Sequence, residues 1–117
     1  MQEGIKLTYN IEYRENVLFI RLIGKLTKNN IHTLNEELDN IINNLGIYNI
    51  VFNFEELEEI DKESTLCLIN WYNHIKSRKG VSLVCGVHGC IKRSNLLNYM
   101  KEIGNEISAI RVINWNN

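Results

Sequence analysis

Residues 49–78 limit the possible folds more than any other stretch of the sequence. They begin with residues 49–54, an apolar run rich in β-branched and aromatic side chains that is typical of a buried strand. An amphipathic helix is predicted at residues 62–78, where apolar residues recur at spacings of three and four. A buried strand that leads into an amphipathic helix is the unit from which α/β sheets with parallel strands are built.

The junction between this strand and this helix contains polar residues that favour a helix start. Asp61 is the predicted N-cap, with its carboxylate accepting the backbone N–H of Glu63 or Ser64. Glu63 then lies in the first turn, where the helix dipole favours a negative charge. The same residues allow a second interpretation, in which the junction is an interaction and phosphorylation site.

The rest of the chain continues the alternation of strands and helices. Alternating apolar and polar residues predict a strand at residues 5–13, and residues 17–23 form a second strand that completes an antiparallel hairpin. The remaining elements are predicted in the order helix, strand, helix, strand, helix, strand at residues 31–45, 49–54, 62–78, 82–87, 91–103 and 107–113. This order predicts an α/β fold with parallel neighbours and right-handed connections, in one domain spanning residues 1–117.

Composition limits the classes of function. A chain of 117 residues with 44% hydrophobic and 23% charged residues is ordinary for one globular domain. The net charge of −1 provides no basic field to attract nucleic acid. The N-terminal residues do not resemble a signal segment, and no apolar run reaches membrane-spanning length, so we expect a cytoplasmic protein without direct membrane insertion. The three cysteines fit a reducing compartment.

The element order and several local patterns together resemble the STAS domain, and within it the anti-sigma factor antagonists. Residues 22–27 are similar to the family's strand that ends in Gly-Glu-Leu-Asp. Residues 50–54, followed by Leu57, Ile60 and Asp61, are similar to its central strand, spacer and aspartate. Further matches at family-like distances from Asp61, without a gap, are Tyr72, Ile75, Lys76, Gly80, Cys85, Ile91, Lys92 and Arg93. The resemblance covers nearly the whole chain.

The resemblance implies a fold, an activity and a partner. The fold is a STAS-like mixed β-sheet, with an N-terminal antiparallel hairpin and then parallel strands, whose helices lie mainly on one face. The activity is binding rather than catalysis, without a cofactor. The partner is an anti-sigma factor that is also an ATP-dependent serine kinase, and binding it frees a sigma factor. Phosphorylation of the third residue of an Asp-Ser-Ser-Gly motif at the helix start switches that binding off.

The sequence departs from the family at this motif. Without a gap, residues 61–64 read Asp-Lys-Glu-Ser, so Glu63 occupies the acceptor position and Ser64 replaces the glycine. A one-residue slip would place Ser64 at the acceptor position but would spoil the downstream matches. Glutamate has one negative charge, where phosphoserine has about −1.5 to −2. Glu63 therefore either holds the site in a state partly like the phosphorylated one or is a simple helix-start glutamate.

Leu66 lies outside the predicted core face of this helix, beside the junction. We expect it to contact a partner, although a single exposed leucine is common on protein surfaces. The predicted core face comprises Thr65, Leu68, Ile69, Tyr72 and Ile75. The predicted site comprises a phosphorylation-site region of Asp61, Glu63 and Ser64, and partner-binding residues Glu59, Leu66 and Asn70.

Two other clusters allow more than one interpretation. The acidic residues of the segment 55–61 form either a solvated loop or a patch that steers a basic partner. Cys85, His88 and Cys90 form a Cys-x-x-His-x-Cys pattern, but structural zinc normally needs four ligands and no second pair is present. We therefore predict that they bind no metal.

Two other functions remain as alternatives. The chain is either an accessory STAS protein of a membrane transporter, docking on its ATPase subunit, or a small enzyme or metal-binding protein that uses the Cys85 cluster. The sequence does not determine the oligomeric state.

Overall fold

The computed structural model describes residues 8–115. A five-stranded sheet has the spatial order β1-β2-β3-β4-β5, and its strands are Thr8–Arg14, Val17–Leu26, Asn49–Ile60, Val81–Cys85 and Lys101–Glu102. Strand β1 is antiparallel to β2, and every other neighbouring pair is parallel. The predicted mixed sheet, with a hairpin followed by parallel strands, is confirmed. Residues 5–7 of the predicted first strand lie outside the described residues.

Four α-helices accompany this sheet within residues 8–115. They are α1 (Ile31–Asp39), α2 (Lys62–Ser77), α3 (Gly89–Lys92) and α4 (Glu106–Trp115). A π-helical turn at Asn40–Asn44 continues α1, and a 3₁₀ turn at Leu96–Asn98 follows α3. Of the helices in this part of the chain, none has the length and apolar character needed to cross a membrane.

The helices divide unequally between the two faces of the sheet. Helices α1, α2 and α3 cover one face, where Leu18, Ile20 and Phe52 belong to the main core. Helix α4 covers the other face, where Ala109 and Ile113 pack on a smaller core. Because successive strand residues point to opposite faces, neighbours such as Leu18 and Phe19 enter different cores. The prediction that the helices lie mainly on one face is confirmed.

The predicted last strand at residues 107–113 is wrong, because these residues belong to helix α4. Asn105 starts that helix by accepting the backbone N–H of Ser108 at 2.8 Å. Ala109 and Ile113 are four residues apart and therefore face the sheet together. A short apolar run of this kind satisfies both a helical and a strand-like spacing, so the pattern alone did not decide between them.

The predicted helix at residues 91–103 is also wrong in its extent. The structure has the short helix α3, the 3₁₀ turn and the two-residue strand β5 in its place. The hydroxyl of Ser94 donates to the Ile91 carbonyl at 2.7 Å and accepts the Leu96 N–H at 3.3 Å. These local side-chain bonds compete with the backbone bonds of a continuous helix. Leu96 and Met100 are nevertheless buried, as predicted.

The acidic segment after Phe54 belongs to strand β3, so of its two interpretations the solvated loop is wrong. Strand β3 continues to Ile60, and two register shifts against β2 each place one additional residue in β3. These β-bulges change the spacing of inward residues from two to three, so Phe54 and Leu57 are buried with two exposed glutamates between them. The segment therefore lacks the alternation by which a strand is recognised.

Candidate partner-binding site at the start of helix α2

Asp61 connects three parts of the chain at the start of α2. Its Oδ1 accepts the backbone N–H of Ser64 at 2.8 Å, which confirms the predicted N-cap. Its Oδ2 accepts the backbone N–H of Lys28 at 2.6 Å, and its own N–H donates to the Leu26 carbonyl at 3.1 Å. The end of β2, the loop that follows it and the start of α2 therefore have fixed relative positions.

These hydrogen bonds also affect the pKa of the cap. Partial burial acts to raise the pKa of Asp61, but the hydrogen bonds from Ser64 and Lys28 outweigh it and hold the pKa below its ordinary value. The carboxylate is therefore ionised at neutral pH, where it is a good acceptor for the free N–H groups of the first helical turn.

Glu63 lies in the first turn of α2, and its side chain is exposed. Its carboxylate is thus presented to solvent at the positive end of the helix dipole. The neighbouring residue Lys62 is also exposed. Position 63 is accordingly accessible to a partner.

Ser64 and Thr65 point into the protein. Ser64 is 0% exposed because it shares a helix face with the buried residues Leu68 and Ile75. Its hydroxyl lies near the Asp61 carboxylate, yet it makes no hydrogen bond of good geometry within residues 8–115. The Thr65 hydroxyl donates to the Asp61 carbonyl at 3.0 Å. Ser64, predicted as part of the phosphorylation-site region, is therefore not exposed at the surface.

Three side chains of α2 form an exposed line that we call the α2 surface: Glu63, Leu66 and Asn70. They follow one another at spacings of three and four, so they occupy one side of the helix. Leu66 is 49% exposed, as its position outside the core face predicts. Glu59 is exposed two residues before the cap, and its carboxylate lies 3.5 Å from the Lys25 ammonium. Glu59 and Glu63 thus lie at the end of the sheet where α2 begins, and Leu66 and Asn70 follow along the helix.

The Cys85 cluster is divided by the sheet. Cys85 is buried in the smaller core at the end of β4, and burial, aided by the nearby carboxylates of Glu106 and Glu55, raises its pKa to about 11. Cys90 instead packs against the main core on the other face. His88 donates its Nε2–H to the carbonyls of Phe54 and Glu55, at 3.0 and 3.1 Å.

This arrangement does not bring Cys85, His88 and Cys90 together as metal ligands. Cys85 and Cys90 belong to opposite faces of the sheet, so they do not approach one ion together. Within residues 8–115 no group of three or more histidine, cysteine, aspartate or glutamate side chains could hold a metal ion.

A polar cluster under α4 was not predicted from the sequence. Arg21 donates two hydrogen bonds to Glu106, at 2.7 and 2.8 Å, and one to Glu12 at 2.6 Å, while Asn53 donates to Glu106 at 2.9 Å. The Arg21 bonds lower the pKa of Glu106 against the effect of burial. A cleft of about 850 Å³ adjoins the cluster. The only sequence signal was a charged residue, Arg21, within an apolar strand.

This cluster attaches the start of α4 to the sheet. The charged groups of Arg21 and Glu106 pair with each other, and Glu12 and Asn53 are their further hydrogen-bond partners. The ion pair joins the first turn of α4 to strand β2, while Ala109 and Ile113 pack on the smaller core. We assign the cluster a structural role.

The family model described as STAS domain matches residues 8–106. The structure is similar to that of the anti-sigma factor antagonist SpoIIAA in its unphosphorylated form, with a TM-score of 0.75 and 14% identity over 93% of this chain and 97% of that chain.

Two further structures are similar. A putative anti-sigma factor antagonist from Thermotoga maritima gives a TM-score of 0.81 at 17% identity, over 91% of this chain and 94% of that chain. The Bacillus cell fate determinant SpoIIAA in its phosphorylated form gives 0.72 at 18% identity, over 90% and 99%. At these identities the likeness concerns the fold.

Proposed function

The chain belongs to the STAS domain family, and from that premise we propose that it is an anti-sigma factor antagonist. It acts by binding an anti-sigma factor, itself a serine kinase, and thereby regulates transcription through a sigma factor in the bacterial cytoplasm. Catalysis and a cofactor have no part in this role. The observation that carries the proposal is the exposed Leu66 at the centre of the α2 surface, next to a firmly capped helix start.

The α2 surface has properties that suit a binding site. Leu66 offers about half of its side chain for burial, and full burial of a leucine is worth about 1.5–3 kcal/mol. Asn70, four residues further along α2, provides an amide that can define the orientation of a partner. Because Asp61 fixes the first turn, little ordering entropy is lost on binding.

The acidic strand supports the choice of partner chemistry. Glu55, Glu56, Glu58 and Glu59 are exposed along the end of β3 that leads to the site. Exposed charges of one sign raise the association rate of a partner of opposite sign more than they raise the final affinity. We therefore propose that the anti-sigma factor presents a basic surface around an apolar pocket for Leu66.

The phosphorylation site is degenerate in this proposal. Glu63 stands at the acceptor position, and it has no hydroxyl to modify. Ser64 is completely buried, so a kinase would have to unwind the start of α2 to reach its hydroxyl. The state of the site is thus fixed by the sequence instead of being switched by ATP.

Capture of partners from the source cell tests the function. The wild-type chain and the Leu66→Asp variant serve as baits, and mass spectrometry identifies the proteins that only the wild-type chain retains. Leu45→Asp is the matched control, because Leu45 is a 61% exposed leucine remote from α2's start. Specific recovery of an anti-sigma factor supports the proposal. Recovery of a transporter ATPase subunit instead would support the accessory role.

A further inference from the structure

Strand β1 forms one edge of the sheet. Its inner side pairs with β2 along all 7 of its residues, and among residues 8–115 no strand lies on its outer side. The opposite edge of the sheet is β5, which has only two residues. The described part of the chain therefore has one long edge at which a further strand can add.

The hairpin turn determines which backbone groups of β1 point outward. Glu15 and Asn16 have φ angles of 52° and 71°, and positive values at both central residues are those of a type I′ turn. The residues that flank such a turn, here Arg14 and Val17, exchange backbone hydrogen bonds. Hydrogen-bonded and non-hydrogen-bonded pairs alternate along an antiparallel hairpin, so the even-numbered residues of β1 bond to β2.

The odd-numbered residues of β1 direct their backbone groups away from β2. They are Tyr9, Ile11 and Tyr13, and their N–H and C=O groups form the outer edge. The features that usually protect an edge strand from pairing are missing. The chain has no proline, the pairing of β1 with β2 contains no bulge, and no residue of β1 is buried.

A second copy of β1 matches this edge in length and in hydrogen bonding. Ile11 is the middle residue of the strand Thr8–Arg14. A two-fold axis at Ile11 places this residue opposite its own equivalent and Tyr9 opposite Tyr13 of the other copy. Every outward N–H and C=O group of the three residues then has a partner, and the two strands overlap along their full described length.

The charged side chains of β1 are compatible with this register. Thr8 lies opposite Arg14 of the other copy, and Asn10 lies opposite Glu12 of the other copy. The side-chain oxygen of Asn10 accepts a hydrogen bond from Arg21 at 2.8 Å, so its amide nitrogen can donate to that glutamate. A two-fold axis at Glu12 would instead place this carboxylate opposite itself, and like charges directly opposite each other destabilise a strand pair.

We propose that two copies of this chain pair their β1 strands antiparallel about Ile11, so that one continuous sheet crosses the dimer. The contact uses the same surface on both copies, and it therefore closes at two. Tyr9 and Ile11 already pack against the main core, so the strand loses little freedom on pairing. No residue of the α2 surface takes part, and the dimer is independent of the proposed function.

Sedimentation velocity of the purified chain tests the association. The mean mass should rise with protein concentration from 13.7 kDa to twice that value and no further. A monomer at every concentration up to the millimolar range overturns the proposal. Growth beyond a dimer overturns it too, because an edge-to-edge pair leaves no second long edge.

Amide hydrogen exchange, measured by NMR below and above the dimerisation midpoint, tests which edge is used. Exchange at Tyr9, Ile11 and Tyr13 should slow several-fold when the dimer forms, because their N–H groups become bonded. Asn10 and Glu12 are internal controls, since their N–H groups bond to β2 in the monomer and should change less. A dimer in which the three outward amides exchange as fast as in the monomer contradicts the proposal.

A proline at an outward position blocks the edge. Tyr13→Pro should abolish dimerisation, because it removes an outward N–H without breaking a bond to β2. Tyr13→Ala is the matched control, since it loses the same side chain but keeps the N–H, and it should still dimerise. Thermal unfolding checks that both variants are folded. A folded Tyr13→Pro variant that dimerises as well as Tyr13→Ala contradicts the proposal.

Charge changes at the exposed residue Thr8 test the register and do not depend on the proline variant. Thr8→Glu should tighten the dimer, because it places a carboxylate opposite Arg14 of the other copy. Thr8→Lys should weaken it by placing two cations there. The difference should shrink at an ionic strength of ~1 M, where the Debye length is ~3 Å. Equal dimerisation of the two variants at low salt rules out this register.

Discussion

Asp61 illustrates what the sequence around a single residue can predict. Its role as a cap depends on residues three positions away, so the sequence was sufficient to predict it. The burial of Ser64 was not predicted, because it depends on how closely α2 approaches the sheet through Leu68 and Ile75. The hydrogen bond from Lys28 was equally hidden, since it joins residues 33 positions apart.

We predict that Asp61→Ala lowers the free energy of unfolding by about 1–2 kcal/mol at neutral pH, through loss of the cap. The pKa of Asp61 is lower in the folded chain than in the unfolded chain, so its stabilisation is present above the unfolded value of ~3.9. It is lost as the pH falls through the folded value. Urea unfolding of both chains at pH 7 and at about pH 2 should show the difference shrinking in acid.

The matched control for this prediction is Asp39→Ala, at an exposed aspartate that accepts a hydrogen bond from the nearby Asn43. It should change stability by less than about 0.5 kcal/mol. A difference between wild type and Asp61→Ala that persists unchanged well below the folded pKa would show that the cap does not act through its charge.

Glu63→Gln separates the two interpretations of Glu63. If its carboxylate imitates part of a phosphate, removing the charge should tighten binding of the anti-sigma factor several-fold, because the resemblance implies that phosphorylation weakens that complex. Glu58→Gln is the control, at an exposed glutamate on β3. We expect Glu63→Gln to bind more tightly than either wild type or Glu58→Gln in a calorimetric titration. Unchanged affinity would favour the simple helix-start role.

Phosphorylation of the wild-type chain should be inefficient. The acceptor position holds Glu63, and a phosphate on Ser64 would have to leave the core and stand among like charges from Glu63 and Asp61. In an assay with ATP and the co-encoded anti-sigma factor, intact mass should show no stoichiometric gain. Glu63→Ser should regain one phosphate. One phosphate on the wild-type chain, mapped to Ser64, would mean that the one-residue slip is correct.

The helices and strands differ in how well the sequence pattern predicted them. Helix α2 was predicted to within one residue, because its apolar spacing is regular and its cap is local. Strand β3 was cut short at residue 54, because two bulges replace its alternation with a spacing of three. Bulges depend on the partner strand β2, and no pattern within β3 itself reveals them. Helix α4 was taken for a strand, because seven residues are too few to distinguish the two periods.

The positions of β4 and α3 lead to a prediction about metal. They place Cys85 and Cys90 on opposite faces of the sheet, and His88 is already bonded to two backbone carbonyls. Protein purified without an affinity tag should contain far less than one zinc per chain by elemental analysis. Stoichiometric zinc that is lost in Cys90→Ser would contradict this arrangement.

On the scale of the whole molecule, the order of strands and helices was enough to predict most of the fold. The alternation of strands and helices after the hairpin predicted parallel strands. Right-handed connections between those strands put α1 and α2 on the same face of the sheet. The packing on the second face could not be predicted, because that face is covered by helix α4, for which the sequence pattern predicted a strand. The ion pair of Arg21 with Glu106 joins residues 85 positions apart, so the charged residue within an apolar strand did not indicate its partner.

The proposed function requires that an anti-sigma factor binds to the exposed Leu66 of the α2 surface. A calorimetric titration tests this binding, with the anti-sigma factor captured from the source cell and with wild type, Leu66→Asp and the control Leu45→Asp. Loss of a buried interface leucine costs about 2 kcal/mol or more, so Leu66→Asp should raise the Kd at least ~30-fold. Its stability should change by only ~0.5 kcal/mol, and Leu45→Asp should bind like wild type. Wild-type affinity in Leu66→Asp, with an unchanged melting temperature, would show that Leu66 is not part of the binding site.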